Sequence, residues 1–192
     1  MDRRLHGHVR DLGRRLLPAA MSMGLAAVAG CSSPSAQPDA GLVGGCPTNV
    51  SDADLTAPAV SFRSEILPIF QSTCALGGDS CHGAPSAVAD HRPFLGTFGG
   101  DGGAAQDVLS GLVGVKSTED LTMNLVTPGD PAASFLMHKV DGDQCTLIAE
   151  CMAPGSFRPN CGVFMPYQAP TILPMPTRDA IRRWIQQGAR GD

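Results

Sequence analysis

Apolar positions recur at helical spacing in two well-separated parts of the chain. After Phe62, the residues Ile66, Ile69, Phe70 and Thr73 fall on one helical face, with Ser64 as the expected N-cap and Pro68 near the first turn, where its missing N–H matters least. Near the other end, Ile181, Trp184 and Ile185 repeat at i, i+3 and i+4, with Thr177 as the expected cap and Gly188 as the stop. Two short helices are expected between them. One lies within residues 106–116 and ends near Gly111 or Gly114. The other follows the Pro128-Gly129 turn, with Asp130 capping and Pro131 at the first helical position, and runs until Gly142. Each element these patterns predict is helical, and an all-α domain with long loops is expected. The first and last helices should pack together through Trp184, Ile181 and Ile185 against Ile66, Ile69 and Phe70.

The first thirty residues follow a different pattern. Arg3, Arg4, Arg10, Arg14 and Arg15 form a basic head, and residues 16–30 form a short apolar run ending in small residues, as in an export signal. The run stops at Val28-Ala29-Gly30-Cys31, which resembles a bacterial lipobox, so Cys31 is the expected lipidation site and first mature residue. A lipid there would tether the chain to a membrane surface without spanning it, and Ser32 in the following position points to the outer membrane. Residues 31–60 are rich in Ser, Pro, Ala, Gly and Asp and read as a flexible linker, leaving 61–192 as the domain.

Composition sharpens this reading. One Trp, one Tyr and seven Phe stand against 23 Gly and 16 Pro, so bulky apolar material for a core is scarce. A buried prosthetic group or several disulfides would help such a chain stay folded. Loss of the leader removes five arginines and two aspartates from totals of 14 and 18, leaving a net charge of −7. That charge argues against nucleic acid as a partner and suits a basic-faced protein.

The candidate chemistry lies in Cys74-Ala75-Leu76-Gly77-Gly78-Asp79-Ser80-Cys81-His82. Two thiols followed by histidine can carry a c-type haem: Cys74 and Cys81 as thioethers to the vinyls, His82 as an axial ligand to the iron. The usual spacing is Cys-x-x-Cys-His, and six residues separate the cysteines here. Gly77-Gly78-Asp79 has the backbone freedom to bulge outward and restore the geometry. The alternative is a Cys74–Cys81 disulfide in a haem-free structural or binding module. A Cys–His nucleophile pair is disfavoured, because sequence adjacency is not the geometry a nucleophile needs. No Gly-rich phosphate loop, nucleophile elbow or metalloprotease helix is present, and the chain does not read as an enzyme.

Four segments together resemble exported bacterial c-type cytochrome domains of lipoprotein architecture: Ile66-Leu67-Pro68-Ile69-Phe70 leading to cysteine, Leu112-Val113-Gly114-Val115, Pro128-Gly129-Asp130-Pro131 through Ser134-Phe135-Leu136 to Lys139, and Phe164-Met165-Pro166 before a last helix ending Trp184-Ile185. The resemblance spans about residues 62–190. It implies a small class I cytochrome c-like fold, one covalent haem c, axial ligands His82 and Met165, and electron transfer to a redox protein partner. Met175, also followed by proline, is the rival ligand. The family pattern places no ligand at His138, for which a surface or satisfied structural role is expected, and His91 is read as solvated.

The remaining cysteines, Cys46, Cys145, Cys151 and Cys161, form a set of four with three possible pairings. Three of them lie in residues 143–162, an insertion relative to the shorter family pattern. Export favours disulfides over a zinc site, and Cys145–Cys151 with Cys46–Cys161 is the expected pairing. Such bridges would fix the loop carrying Met165.

Overall fold

The computed structural model describes residue 46 and residues 51–85, 91–100 and 104–192. The export signal, the lipidation site Cys31 and most of the expected linker lie outside the described residues. Those described form five α-helices joined by long loops: α1 (Leu67–Thr73), α2 (Ala105–Leu112), α3 (Phe135–Asp141), α4 (Ile148–Cys151) and α5 (Met175–Gln186). A π-helical turn, Phe62–Ile66, leads directly into α1. Isolated β-bridges such as Val113 with Val126 occur, but no strand forms among the described residues, in accord with the all-α expectation.

Aromatic packing holds the two ends of the domain together. The Trp184 ring lies 5.2 Å from that of Phe62 and 6.3 Å, edge-on, from that of Phe70. Ile66, Ile181 and Ile185 are fully buried around them, and Ile69 packs at the margin. Burying each of these large side chains contributes about 1.5–3 kcal/mol, so this cluster is a substantial source of stability in an aromatic-poor chain.

Three expected caps are displaced. Ser61, not Ser64, caps the first helical segment: its Oγ accepts from Ser64 N at 3.0 Å, and Glu65 Oε1 accepts from Ser61 N at 3.0 Å, a reciprocal box. Asp130 closes only a local turn, accepting from Ala133 N at 3.0 Å, and α3 begins at Phe135. Ser134 precedes that helix, but its hydroxyl bonds across the loop, accepting from Thr127 N at 2.9 Å and donating to Asp130 O at 2.8 Å. Thr177 lies inside α5, which starts at Met175 behind Pro174. The C-terminal stops are as expected. Gly142 follows α3 with φ 75°, and Gly188 follows α5 with φ 98°.

Two features bind the periphery. Cys46 pairs with Cys145, and Cys151 with Cys161. The expected pairing is therefore corrected: the cysteines bridge the insertion to the chain before the domain and close a short loop within it, because Cys151, at the end of α4, is buried with Cys161 against Phe135. Residues 51–60 are also not a free linker. Gln187 Oε1 accepts from Val60 N at 2.9 Å, its Nε2 donates to Pro58 O at 2.9 Å, and Arg183 Nε donates to Asp54 O at 2.8 Å, so this segment lies along α5.

Candidate functional site

The helix α1 ends at Cys74, whose N–H donates to Phe70 O at 2.8 Å, so the helix delivers this thiol to the start of the loop. The loop then folds back on itself. His82 N donates to Cys74 O at 3.2 Å, bringing the two chemistry-bearing ends of the run together despite the long spacer. The additional residues form a single 3-10 turn, Gly78–Ser80. Gly78 N bonds Ala75 O at 3.0 Å, Gly83 N bonds Gly78 O at 3.0 Å, and Gly78 takes φ 54°. Arg92 clamps the turn from outside, donating to the carbonyls of Ser80 and Asp79.

His82 is held in one tautomer. Its Nδ1 lies 2.8 Å from Pro93 O, an acceptor only, so Nδ1 carries the proton and Nε2 presents a lone pair. Burial lowers the His82 pKa, the Pro93 carbonyl opposes this, and the charges of Arg92 and Lys139 lower it further. The ring is therefore neutral at pH 7, as a metal ligand must be. Leu95 N donates to His82 O at 2.9 Å, and Phe94 and Leu95 enter the core, so the Pro93 loop is anchored on both sides.

Cys74 is a free, buried thiol. Its Sγ lies 3.3 Å from Thr73 Oγ1, whose own proton is directed to Ile69 O at 2.6 Å, so the thiol acts as the donor. Burial raises the Cys74 pKa to about 11. The thiol is therefore held protonated at pH 7, which disfavours its acting as a nucleophile in the folded state. The Cys74–Cys81 disulfide of the haem-free alternative is not formed. Cys81 is disulfide-bonded, and the free Cys74 is not its partner.

Met165 belongs to the loop after the insertion. Its N–H donates to Lys139 O at 2.8 Å, which fixes the Met165 backbone against α3, and the side chain is half-buried. Met175 stands in the first turn of α5 and is 36 % exposed. His138 is structural, as expected: its ring bridges Asp143 Oδ1 at 2.9 Å and Ala132 O at 3.1 Å. Burial disfavours the charged ring, but these acceptors outweigh it, and the His138 pKa is raised. Cys46, Cys145, Cys151 and Cys161 are all consumed in disulfides, so none of the four offers a thiolate to zinc. His91 stacks on Phe157 at 4.5 Å.

Pro93 was not singled out from the sequence, and Lys139 entered only as the end of a segment, with no role given to it. Pro93 acts through its carbonyl, which any residue would supply, so its identity gives no signal. Lys139 is nearly buried, donating to Cys161 O at 2.7 Å and Glu119 Oε2 at 3.0 Å. Its place in the pattern was readable, since it lies three and four residues after Leu136 and Phe135, on the stripe that α3 buries. No protein-family model matches the chain, and no curated protein or solved structure is significantly similar to it.

Proposed function

We propose that the domain is a single-haem c-type cytochrome that carries electrons between protein partners. The observation that carries this reading is the His82 site: a neutral imidazole, tautomer fixed by Pro93 O with Nε2 free to ligate, folded back by its own N–H onto Cys74, a free thiol. The donor chemistry fits haem. Cys74 supplies a thiol for a vinyl thioether, His82 a strong nitrogen ligand, and Met165 a soft thioether sulfur on a loop tied to α3. Cys81 fits only as a thiol, so its disulfide must be reduced before a second thioether can form. Bound haem would supply a one-electron iron couple. The protein's part is to orient His82 through Pro93 O and keep it neutral.

The class I cytochrome fold, the lipid anchor at Cys31, the outer-membrane location and the acidic surface facing a basic redox partner belong to the same proposal. Among the described residues no helix is long and apolar enough to cross a membrane, so attachment would rest on the lipid. The second reading is a haem-free, disulfide-braced binding module, and the oxidised state of Cys81 is the observation in its favour.

Haem staining of the exported protein after denaturing electrophoresis, with oxidised and reduced visible spectra, separates the two. Covalent haem in the wild type is expected, lost in the Cys74→Ala/Cys81→Ala double variant and retained with an altered spectrum in Met165→Ala. A folded wild-type protein without covalent haem would overturn the cytochrome reading.

A further inference from the structure

The charged groups outside the His82 loop are mostly structural. Asp141 is buried between Arg178 (Nη1 to Oδ1, 2.6 Å) and Arg182 (Nη2 to Oδ2, 2.7 Å), which ties α3 to α5. The Lys139 cluster differs in position. Three parts of the chain converge on this one residue: the Met165 loop through its carbonyl, the disulfide-closed insertion through its ammonium, and the 117–123 loop through Glu119.

We propose that Lys139 and Glu119 are a positioning and tuning pair, with the Lys139 carbonyl seating the Met165 loop and the two opposed charges setting the ease of reduction at the site. The inference rests on the cytochrome reading and deepens it.

The geometry supports both halves. Lys139 Nζ is fixed by Glu119 Oε2 at 3.0 Å and Cys161 O at 2.7 Å, and it sits 5.6 Å from the Phe135 ring centroid. Its side chain is 8 % exposed and that of Glu119 is 16 % exposed, so solvent screens neither charge well. Arg158 Nε reaches the other Glu119 oxygen at 3.5 Å, so the carboxylate is held from two sides. Gly162 shapes the cradle: a Cβ there would come within 3.1 Å of Lys139 Nζ, Arg158 Cδ and Glu119 Oε1 alike, and φ is 63°.

A fixed cation near a redox centre favours the state with one more electron, and a fixed anion disfavours it. The two members of the pair should therefore shift the potential in opposite directions. A merely structural role would not do this, because loosening the Met165 loop from either side lowers the potential in both cases.

The test uses the exported holoprotein, first stained for covalent haem and then titrated potentiometrically as wild type, Lys139→Met, Lys139→Arg and Glu119→Gln. Expected are a lower potential for Lys139→Met, a higher one for Glu119→Gln, and a value near wild type for Lys139→Arg. Shifts of the same sign, or none, in protein that carries haem would overturn the tuning half while leaving the cytochrome reading intact. Absence of haem from the wild type would overturn the reading itself. The seating half has its own measurement in haem-free protein: the Met165 amide proton, bonded to Lys139 O, should be protected in hydrogen exchange. Exchange as fast as that of an exposed loop amide would refute it.

Discussion

Gly83→Ala tests whether the long Cys74–His82 loop is a built structure. Gly83 is buried, and a Cβ on it would lie 2.4 Å from Ala75 O and 2.9 Å from Gly78 Cα. Both are backbone atoms, so no side chain can swing away to make room. Gly83 is also tethered, since its N–H bonds Gly78 O at 3.0 Å while Gly78 N bonds Ala75 O at 3.0 Å. Relief of the clash requires breaking one of these bonds, at about 0.5–1.5 kcal/mol, in addition to about 1–3 kcal/mol of overpacking strain. A loss of about 2–4 kcal/mol is expected in urea unfolding with an unchanged slope. Gly111→Ala is the internal control. Gly111 sits inside α2 with nothing within 4 Å of its would-be Cβ, so alanine there should stabilise by up to about 1 kcal/mol. A second readout follows the site itself: the Nδ1 proton of His82, held on Pro93 O, should be visible by NMR in wild type and lost or shifted in Gly83→Ala. A Gly83→Ala protein within about 0.5 kcal/mol of wild type would show that the loop yields easily and that its closure does not position His82.

Other perturbations give further outcomes. Asp141→Ala leaves two buried guanidinium groups facing each other and should cost about 3–5 kcal/mol in chemical denaturation, whereas a cost under about 1 kcal/mol would mean that water reaches them. The raised pKa of His138 stabilises the fold fully below its unfolded value near 6.5, and that contribution is lost as pH rises through the folded value; His138→Gln should flatten this part of the stability profile and leave the acid side's slope otherwise unaltered. Cys46 and Cys145 are 99 residues apart in sequence and Cys151 and Cys161 are 10 apart, so chain entropy predicts losses of about 4–5 and about 2–3 kcal/mol for the respective double-serine variants, and a reversed order would refute that account. In haem-free protein the buried Cys74 should resist iodoacetamide at pH 7 until denaturant is added, which mass spectrometry of the tryptic peptide would report.

The helices were legible because their apolar stripes repeat: Ile66 with Phe70 and Ile181 with Trp184 and Ile185 led directly to the core that forms. Their starts were less so. Ser, Thr and Asp signal a cap only when their oxygens are not drawn elsewhere, and Ser134 is engaged by Thr127 and Asp130 across the loop. The disulfide pairing was not legible, since spacing alone does not say that Cys151 is buried with Cys161. Arginines ordinarily mark a solvated face, yet Arg178 and Arg182 are buried because Asp141 of α3 meets both; only their i, i+4 spacing beside Ile181 and Ile185 hinted at this. At the site, the glycine-rich spacer was enough to suggest that the loop could close, while the clamp by Arg92 and the acceptor at Pro93 come from a distant part of the loop that carries no local signal.

The course of the chain from Cys46 to Val60 has a mechanical consequence. Polar contacts from Arg183 and Gln187 hold residues 54–60 along α5, and such contacts would peel one after another under tension. The Cys46–Cys145 bond lies ahead of them. A pull arriving from the residues before Cys46 therefore passes through sulfur into the insertion beside α4, bypassing the strap, the π-helical turn and the Trp184 cluster. Stretching from that side would load a covalent bond before it loads the helical core, and reducing agent alone should convert the domain from one that resists extension into one that unzips from its first strapped residues.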